Sequence, residues 1–179
     1  MAAALIRLAT AGDAAAIAEI YAPYVRATRI TFEEIAPGTA EMRARMGSPH
    51  HPWLIAEESG AALGYACATP YHLRSAYRWT CEVGIYLAAA AQGRGLGTEL
   101  LGTLLELLRL QGYSAAIGTI ALPNPSSIRL HEKLGFRPAG HYRAIGFKQG
   151  EWVDVGRWQC DLGERAEAPA EIRPFAELG

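Results

Sequence analysis

Nothing in this sequence pulls the chain as a whole toward a polyanion: 17 Lys and Arg face 18 Asp and Glu, a formal net charge of −1 at pH 7. With no general positive field, nucleic acid and anionic membrane surfaces are excluded as partners, and any phosphate site has to be local. Cysteine is scarce as well. Cys67, Cys81 and Cys160 are odd in number, widely spaced and without a CxxC pair, so they frame neither a disulfide scaffold nor a zinc site and suit a reducing cytoplasm. His50, His51 and His141 lack metal-ligand spacing and read as loop or surface residues; no metal is expected. No apolar run approaches the roughly 18 residues of a membrane span, and the start MAAALIRLATAGD has no signal-peptide core, which predicts a soluble cytoplasmic protein.

What remains is an ordinary globular composition, half hydrophobic, at a length that fits one domain. That domain is expected over residues 1–163, with an Ala-, Glu- and Pro-rich tail, 164–179, loosely attached to it. Ile17, Ile20, Tyr21, Tyr24 and Val25 repeat at helical spacing, Thr10 and Asp13 resemble a capping box before them, and Pro23 predicts a kink. Thr39 can cap a short helix carrying Met42 and Met46, followed by a loop at 47–52. Residues 53–59 and 62–70 read as a hairpin and 80–88 as a third strand, with Cys81, Val83, Ile85 and Leu87 on one face and Glu82, Gly84 and Tyr86 on the other.

Leu100, Leu101, Leu104, Leu105 and Leu108 define a helix over 98–111 that stops at Gly112. A buried strand at 115–121 follows, then a helix within 123–136 with Asn124 as N-cap, Pro125 at its first position and Gly135 as C-cap. Strand, helix, strand, helix in succession calls for a crossover, so part of the sheet is expected to be parallel. A closing hairpin is predicted from 141–148 and 152–161.

Between the third strand and the leucine helix stands QGRGLG, residues 92–97. A glycine loop entering a helix lets backbone amides approach an anion. Arg94 adds charge there and Thr98 a hydroxyl. A plain strand-to-helix turn explains the same residues equally well. The spacing is not G-x-G-x-x-G, residues 114–120 carry no acid to hold a ribose, and G-K-[ST] is absent, so neither a dinucleotide fold nor a P-loop fits.

Gln92, Gly95 and Gly97 fill the pattern [QR]-x-x-G-x-[GA]. With TCEVGIYLAAAAQGRGLGTELL and NPSSIRLHEKLGF this stretch resembles the acetyl-CoA site of the GNAT N-acetyltransferases. HLRSAYRWTCE, IALPN, GFKQGEWVDVGRWQ, IYAPYV and ITFEE are similar to the phosphinothricin acetyltransferase branch, whose relatives act on methionine sulfoximine or arsinothricin. The likeness runs from about Ile6 to Asp161. It implies an α/β fold with a mixed, mostly antiparallel, splayed sheet flanked by helices, and acetyl-CoA as co-substrate. Main-chain groups of Ile85, Tyr86 and Leu87 would pair with the pantetheine amides. Gly93, Arg94, Gly95, Leu96, Gly97 and Thr98 would hold the pyrophosphate, Asn124 the pantetheine arm and Lys133 a distal phosphate.

Acyl transfer to an amine needs the neutral amine, and an α-amino group with a pKa of about 7.7–8 is mostly protonated at neutral pH. Glu82, an acid inside an apolar strand, is the candidate base, by itself or through water; an exposed edge position or a pairing with Arg78 is the bland alternative. An amide near Ile85 or Tyr86 is available to a developing oxyanion. His131 stands where the wider superfamily often has a tyrosine serving the departing thiolate, as acid or hydrogen-bond partner, unless it only packs or caps. By the resemblance, Arg74, Ser75 and Tyr77 would hold the anionic part of a small amino-acid substrate and Phe32 would form an apolar wall. His72 stands where some relatives carry a basic residue. The expected activity is acetylation of phosphinothricin, methionine sulfoximine or a similar glutamate-like analogue, set against a protein N-terminus or polyamine as acceptor and against a non-catalytic acyl-CoA sensor. Relatives imply a homodimer.

Overall fold

The computed structural model describes residues 4–165 and 167–178. Seven strands form one sheet: β1 (Leu5–Leu8), β2 (Trp53–Glu58), β3 (Ala61–Pro70), β4 (Thr80–Leu87), β5 (Ala115–Leu122), β6 (Arg137–Lys148) and β7 (Glu151–Asp161). Their order is β1-β2-β3-β4-β5-β7-β6, antiparallel throughout except where β4 meets β5. Four helices cover it: α1 (Ala14–Ala27), α2 (Thr39–Arg45), α3 (Leu96–Gln111) and α4 (Pro125–Lys133). Because α3 connects the two parallel neighbours, it crosses over one face, as the strand–helix alternation requires. This is the expected mixed, mostly antiparallel architecture.

Strand alternation divides the core. Cys81 and Val83 of β4 pack into a cluster with Leu100, Leu101, Leu104 and Leu108 of α3, all four leucines fully buried. Each contributes about 1.5–3 kcal/mol of apolar burial. On the opposite face Tyr65 and Cys67 meet Ile17, Tyr21 and Val25 of α1 and Met42 of α2. The α1 helix runs through Pro23, and the Asp13 carboxylate before it accepts from the Thr10 amide at 2.7 Å.

Several boundaries differ from the sequence reading. The short strand β1 was not anticipated; Arg7 fastens it by pairing with both Asp13 and Glu57 at 2.8 Å. The α3 helix begins at Leu96, not at Thr98, because Leu96 is itself a core residue and Gly95, at φ +82°, turns the chain into the helix. It ends at Gly112 as expected, with the Tyr113 amide on Leu108 O and the Gly112 amide on Arg109 O, the Schellman pairing. The α4 helix ends at Lys133, and Gly135, at φ +89°, closes it as expected, with the Phe136 amide on His131 O and the Gly135 amide on Glu132 O. The β6 strand starts at Arg137, four residues early, and slips register twice against β7.

The tail is docked where loose attachment was expected. Trp79 Nε1 donates to Ala170 O at 2.7 Å, Arg78 pairs with Glu171 at 3.1 Å, and Ile172 packs against the α3 cluster. Gln111, wholly buried at the end of α3, donates through Nε2 to His50 O and Arg173 O at 3.0 and 2.9 Å, while the Arg173 amide returns to Gln111 O. Gln111→Leu leaves Arg173 O without its donor, while His50 O keeps the Tyr113 hydroxyl at 2.9 Å; the loss costs about 1–3 kcal/mol. Urea denaturation should show the loss. An unchanged midpoint would mean that the tail latch carries no stability.

Candidate functional site

The parallel strands β4 and β5 are paired only from Thr80↔Ala115 to Val83↔Gly118. Beyond that point they part. β4 continues to Leu87 with its β3 edge paired, and β5 continues to Leu122 with its β7 edge paired, so the two inner edges face each other across a gap. A small cavity of about 50 Å³ sits in this fork, between Gly84 to Tyr86 on one side and Thr119 to Ala121 on the other. It shares Ile85, Asn124 and Ser127 with a groove of about 560 Å³ leading to the glycine loop. On the other face of the sheet it shares Val83, Gly84, Tyr86 and Thr119 with a cavity of about 330 Å³ that holds Glu82.

The groove is shaped by glycine in two different ways. Gly93 (φ +74°) and Gly95 (φ +82°) occupy left-handed backbone that side chains disfavour, and a Cβ at either would meet open space. Gly97 is helical and needed for contact: a Cβ there would stand 2.8 Å from Leu130 of α4. Inside α3 the first amides to bond back to the loop are those of Thr98 and Glu99, both to Gly95 O, so the amides before them are free for an outside acceptor. Thr98 lines the groove, Leu96 points into the core, and Arg94 pairs with Glu58 at 3.1 Å. Asn124 lines it while its Oδ1 caps α4 through the Ser127 amide at 3.1 Å. Lys133 is exposed at the end of α4 and off the groove; Arg129, one turn earlier on the same helix, lines it and was missed by the sequence reading.

A second unforeseen residue is Tyr24. Its hydroxyl donates to Leu87 O at 2.6 Å and accepts from the Leu87 amide at 3.3 Å and from Gln92 Nε2 at 3.1 Å. The open-edge backbone groups of Leu87 are thereby satisfied by a side chain from α1. The only sequence signal was the helical stripe, which reads as core.

Glu82 is half-buried, opposite Thr69 on β3 and Ile117 on β5. The arginine that sequence offered as its partner, Arg78, pairs instead with Glu171 and stacks on Trp79 at 3.6 Å. Trp53, Tyr65 and Tyr86 stack in series at 5.5 and 5.4 Å along the wall of the Glu82 cavity, with Tyr21 meeting Tyr86 edge-on at 4.8 Å. At the far wall Arg45 grips both oxygens of Glu33 at 2.7 and 2.9 Å, and this contact holds the Glu33 carboxyl below its ordinary pKa.

His131 lines the fork and is 3% exposed. It lies against Gly118, where any Cβ would come within 2.6 Å of the ring. Burial lowers its pKa, only partly opposed by the contact of Nδ1 with Ser127 O at 2.8 Å. The ring is therefore neutral near pH 7. With the Nδ1 proton assigned to the Ser127 carbonyl, Nε2 carries a lone pair and accepts.

Phe32 rests its ring on Gly146 of β6, and Arg74, Ser75 and Tyr77 sit in an exposed turn between β3 and β4; none of the four is on the wall of the Glu82 cavity. Lys148, buried, ties the Phe32 segment down by donating to Val25 O and Thr31 O at 2.7 Å. Among the described residues no three His, Cys, Asp or Glu side chains gather as a metal site, and no helix is long and apolar enough to cross a membrane.

The sequence matches the Acetyltransferase (GNAT) family over residues 14–136. It is 38% identical over 175 residues to a phosphinothricin N-acetyltransferase of Streptomyces viridochromogenes, covering 97% of this chain and 95% of that one. An L-methionine sulfoximine/L-methionine sulfone acetyltransferase of Salmonella typhimurium is 34% identical over 171 residues, 92% of this chain and 98% of the relative. Among solved structures, a phosphinothricin acetyltransferase of Sinorhizobium meliloti in complex with AcCoA superposes with a TM-score of 0.90 at 38% identity, over 98% of each chain. With the split strand pair and the glycine loop already in place, these likenesses put the chain in the acetyltransferase (GNAT) family, as an N-acetyltransferase that takes its acetyl group from acetyl-CoA.

Proposed function

We propose that this enzyme acetylates the α-amino group of a small, glutamate-like amino-acid analogue such as phosphinothricin or methionine sulfoximine, with Glu82 as the general base. The observation that carries the reading is the cavity around Glu82: a half-buried carboxylate facing a half-open space of about 330 Å³ that joins the donor groove through the fork. That volume is at the small end of ligand pockets and suits one amino acid better than a polyamine or a peptide terminus. An acyl-CoA sensor would need the glycine loop but has no use for a carboxylate across the fork from it that, among the described residues, has no ion pair.

The donor enters by the groove. Amides from Gly93 to Thr98 face the pyrophosphate, Asn124 the pantetheine arm, and Ile85, Tyr86 and Leu87 offer main-chain groups along the open edge of β4. Arg129 is better placed than Lys133 for a phosphate, since it lines the groove. The acceptor amine loses its proton to Glu82, directly or by way of water, and attacks the thioester in a ternary complex. A backbone N–H near Ile85 or Tyr86 steadies the oxyanion. The tetrahedral intermediate then collapses, the C–S bond breaking as the carbonyl re-forms, and coenzyme A leaves as the thiolate and takes its proton from solvent. His131, neutral and accepting at Nε2, is not the acid and accepts from a donor of the bound coenzyme, such as a pantetheine amide or the protonated thiol.

Arg74, Ser75 and Tyr77 take one anionic group of the acceptor, helped by the tail that pins Arg78 and Trp79 at the end of their turn. The chain is a homodimer. Supporting this, Tyr142, Ile145, Phe147 and Trp152 of the β6–β7 hairpin are all exposed, Trp152 by 66%. A second subunit at this hairpin would sit beside Phe32, which packs on Gly146.

Three measurements test the proposal. Glu82→Gln should lower kcat by a factor on the order of 10²–10⁴ while acetyl-CoA binding is unchanged, read by thiol release with phosphinothricin; equal turnover would remove Glu82 from the chemistry. Tyr24→Phe frees the Leu87 backbone groups for the donor, so the KM for acetyl-CoA should fall severalfold with kcat held. A rise in that KM would place the hydroxyl among the donor's own contacts. Trp152→Glu should convert dimer to monomer in light scattering, and a monomeric wild type sinks the interface.

A further inference from the structure

Arg157 of β7 holds its charge in an unusual position. Its Nε and Nη1 are out of reach of solvent and have no hydrogen-bond partner among the described residues. Cζ lies 5.5 Å from the ring centre of Tyr71 and 5.8 Å from that of Tyr142, both within cation–π range. Such attraction offsets part of the desolvation but satisfies no N–H donor, and a guanidinium does not escape by losing its proton. The residue is only half-buried, but two of its donors, so placed, are satisfied only when an acceptor reaches them.

The sheet fixes where that acceptor comes from. Arg157 pairs with Thr119 across β5–β7, so the two side chains share a face. The next residue, Trp158, faces the other way and donates from Nε1 to Glu132 of α4 at 3.1 Å. Thr119 lines the cavity that holds Glu82, and Glu82 itself is level with Ile117, two residues earlier on the same β5 face. From strand spacing, the Glu82 and Arg157 Cα atoms are about 12 Å apart on that face. Arg157 is not itself on the wall of that cavity; it stands just beyond Thr119, about the length of one small amino acid from Glu82. Tyr71 also contacts Tyr77 edge-to-face at 5.5 Å, which joins Arg157 to the turn carrying Arg74.

We propose that Arg157 binds the side-chain anion of the acceptor, the phosphinate or carboxylate remote from the reacting amine, and so selects doubly anionic substrates. The planar fork matches either group in a bidentate contact, with the tyrosine rings screening it from water. The α-carboxylate is then left to Arg74 and Tyr77. This assignment rests on the small-acceptor reading above.

Two acceptors of similar length separate the possibilities: phosphinothricin, anionic at its far end, and methionine sulfone, neutral there. In Arg157→Gln, kcat/KM for phosphinothricin should fall by at least about tenfold, mostly through KM, while methionine sulfone changes by less than about twofold; Arg157→Lys should recover part of the loss. Phosphinothricin should raise the melting temperature of the wild type and not that of Arg157→Gln, whose melting temperature without acceptor should not be lower than the wild type's. Equal losses for both acceptors, no loss for either, or a parallel change of oligomeric state would overturn the assignment and make the guanidinium a structural or partner contact. If the wild type turns over neither acceptor, the small-acceptor reading itself has failed, and the assignment with it.

Discussion

The whole site depends on a pair of strands that stop bonding to each other. After Val83↔Gly118 the inner edges of β4 and β5 carry N–H and C=O groups that a continuous sheet would have paired. Such groups are tolerated in an interior only if something else meets them. At the far end of β4 this is the Tyr24 hydroxyl, on both polar atoms of Leu87. Further in, the open edge meets a cavity, which makes it a template for an extended, amide-bearing ligand of the kind that adds a strand to a sheet. The pantetheine arm of acetyl-CoA has that chemistry.

What keeps the strands apart is packing. His131 leans on Gly118 at the point of parting, where no larger residue leaves space for the ring. On the other arm, Gly97 lets α3 approach Leu130 of α4 closely. The α4 helix is thus wedged by both of its neighbours, and its capped N-terminus, at Asn124, is presented to the fork. Strand alternation then does the rest: with Cys81 and Val83 committed to the leucine cluster, Glu82 has to face the opposite layer, toward aromatic residues and the half-open cavity.

Much of this was legible in the sequence because it rests on local rules. The period-two pattern of β4, the leucines of α3 and the glycine and asparagine caps each encode their element within a few residues. The acid in the apolar strand was visible for the same reason. Legibility failed where the cause is a distant contact. A four-residue strand such as β1 has too few positions to show alternation, and is held by Arg7 through Asp13 and through Glu57, 50 residues away. Tyr24 sits in a helical stripe that spells core, and only the fold aims its hydroxyl at residue 87. The tail, polar and proline-containing, reads as loose; its hold comes from carbonyls met by Trp79 and Gln111, whose positions no local pattern reveals.

The polar groups gathered here share one energetic feature. Among the described residues, a neutral His131 with an accepting nitrogen, a carboxylate at Glu82 without an ion pair and a guanidinium at Arg157 whose Nε and Nη1 lack an acceptor each leave capacity unused in the free protein. Satisfying them internally would stabilise the fold by the usual 0.5–1.5 kcal/mol per hydrogen bond, or about 1.5–3 for those to charged groups, and would also close the site. The rest of the molecule makes that restraint tolerable. The four fully buried leucines of α3 alone supply on the order of 6–12 kcal/mol of apolar burial, more than the unmade bonds forgo. A leucine-rich helix directly behind a glycine loop is thus one device: the loop gives up order to face a ligand, and the helix anchors it firmly enough for that loss to be borne.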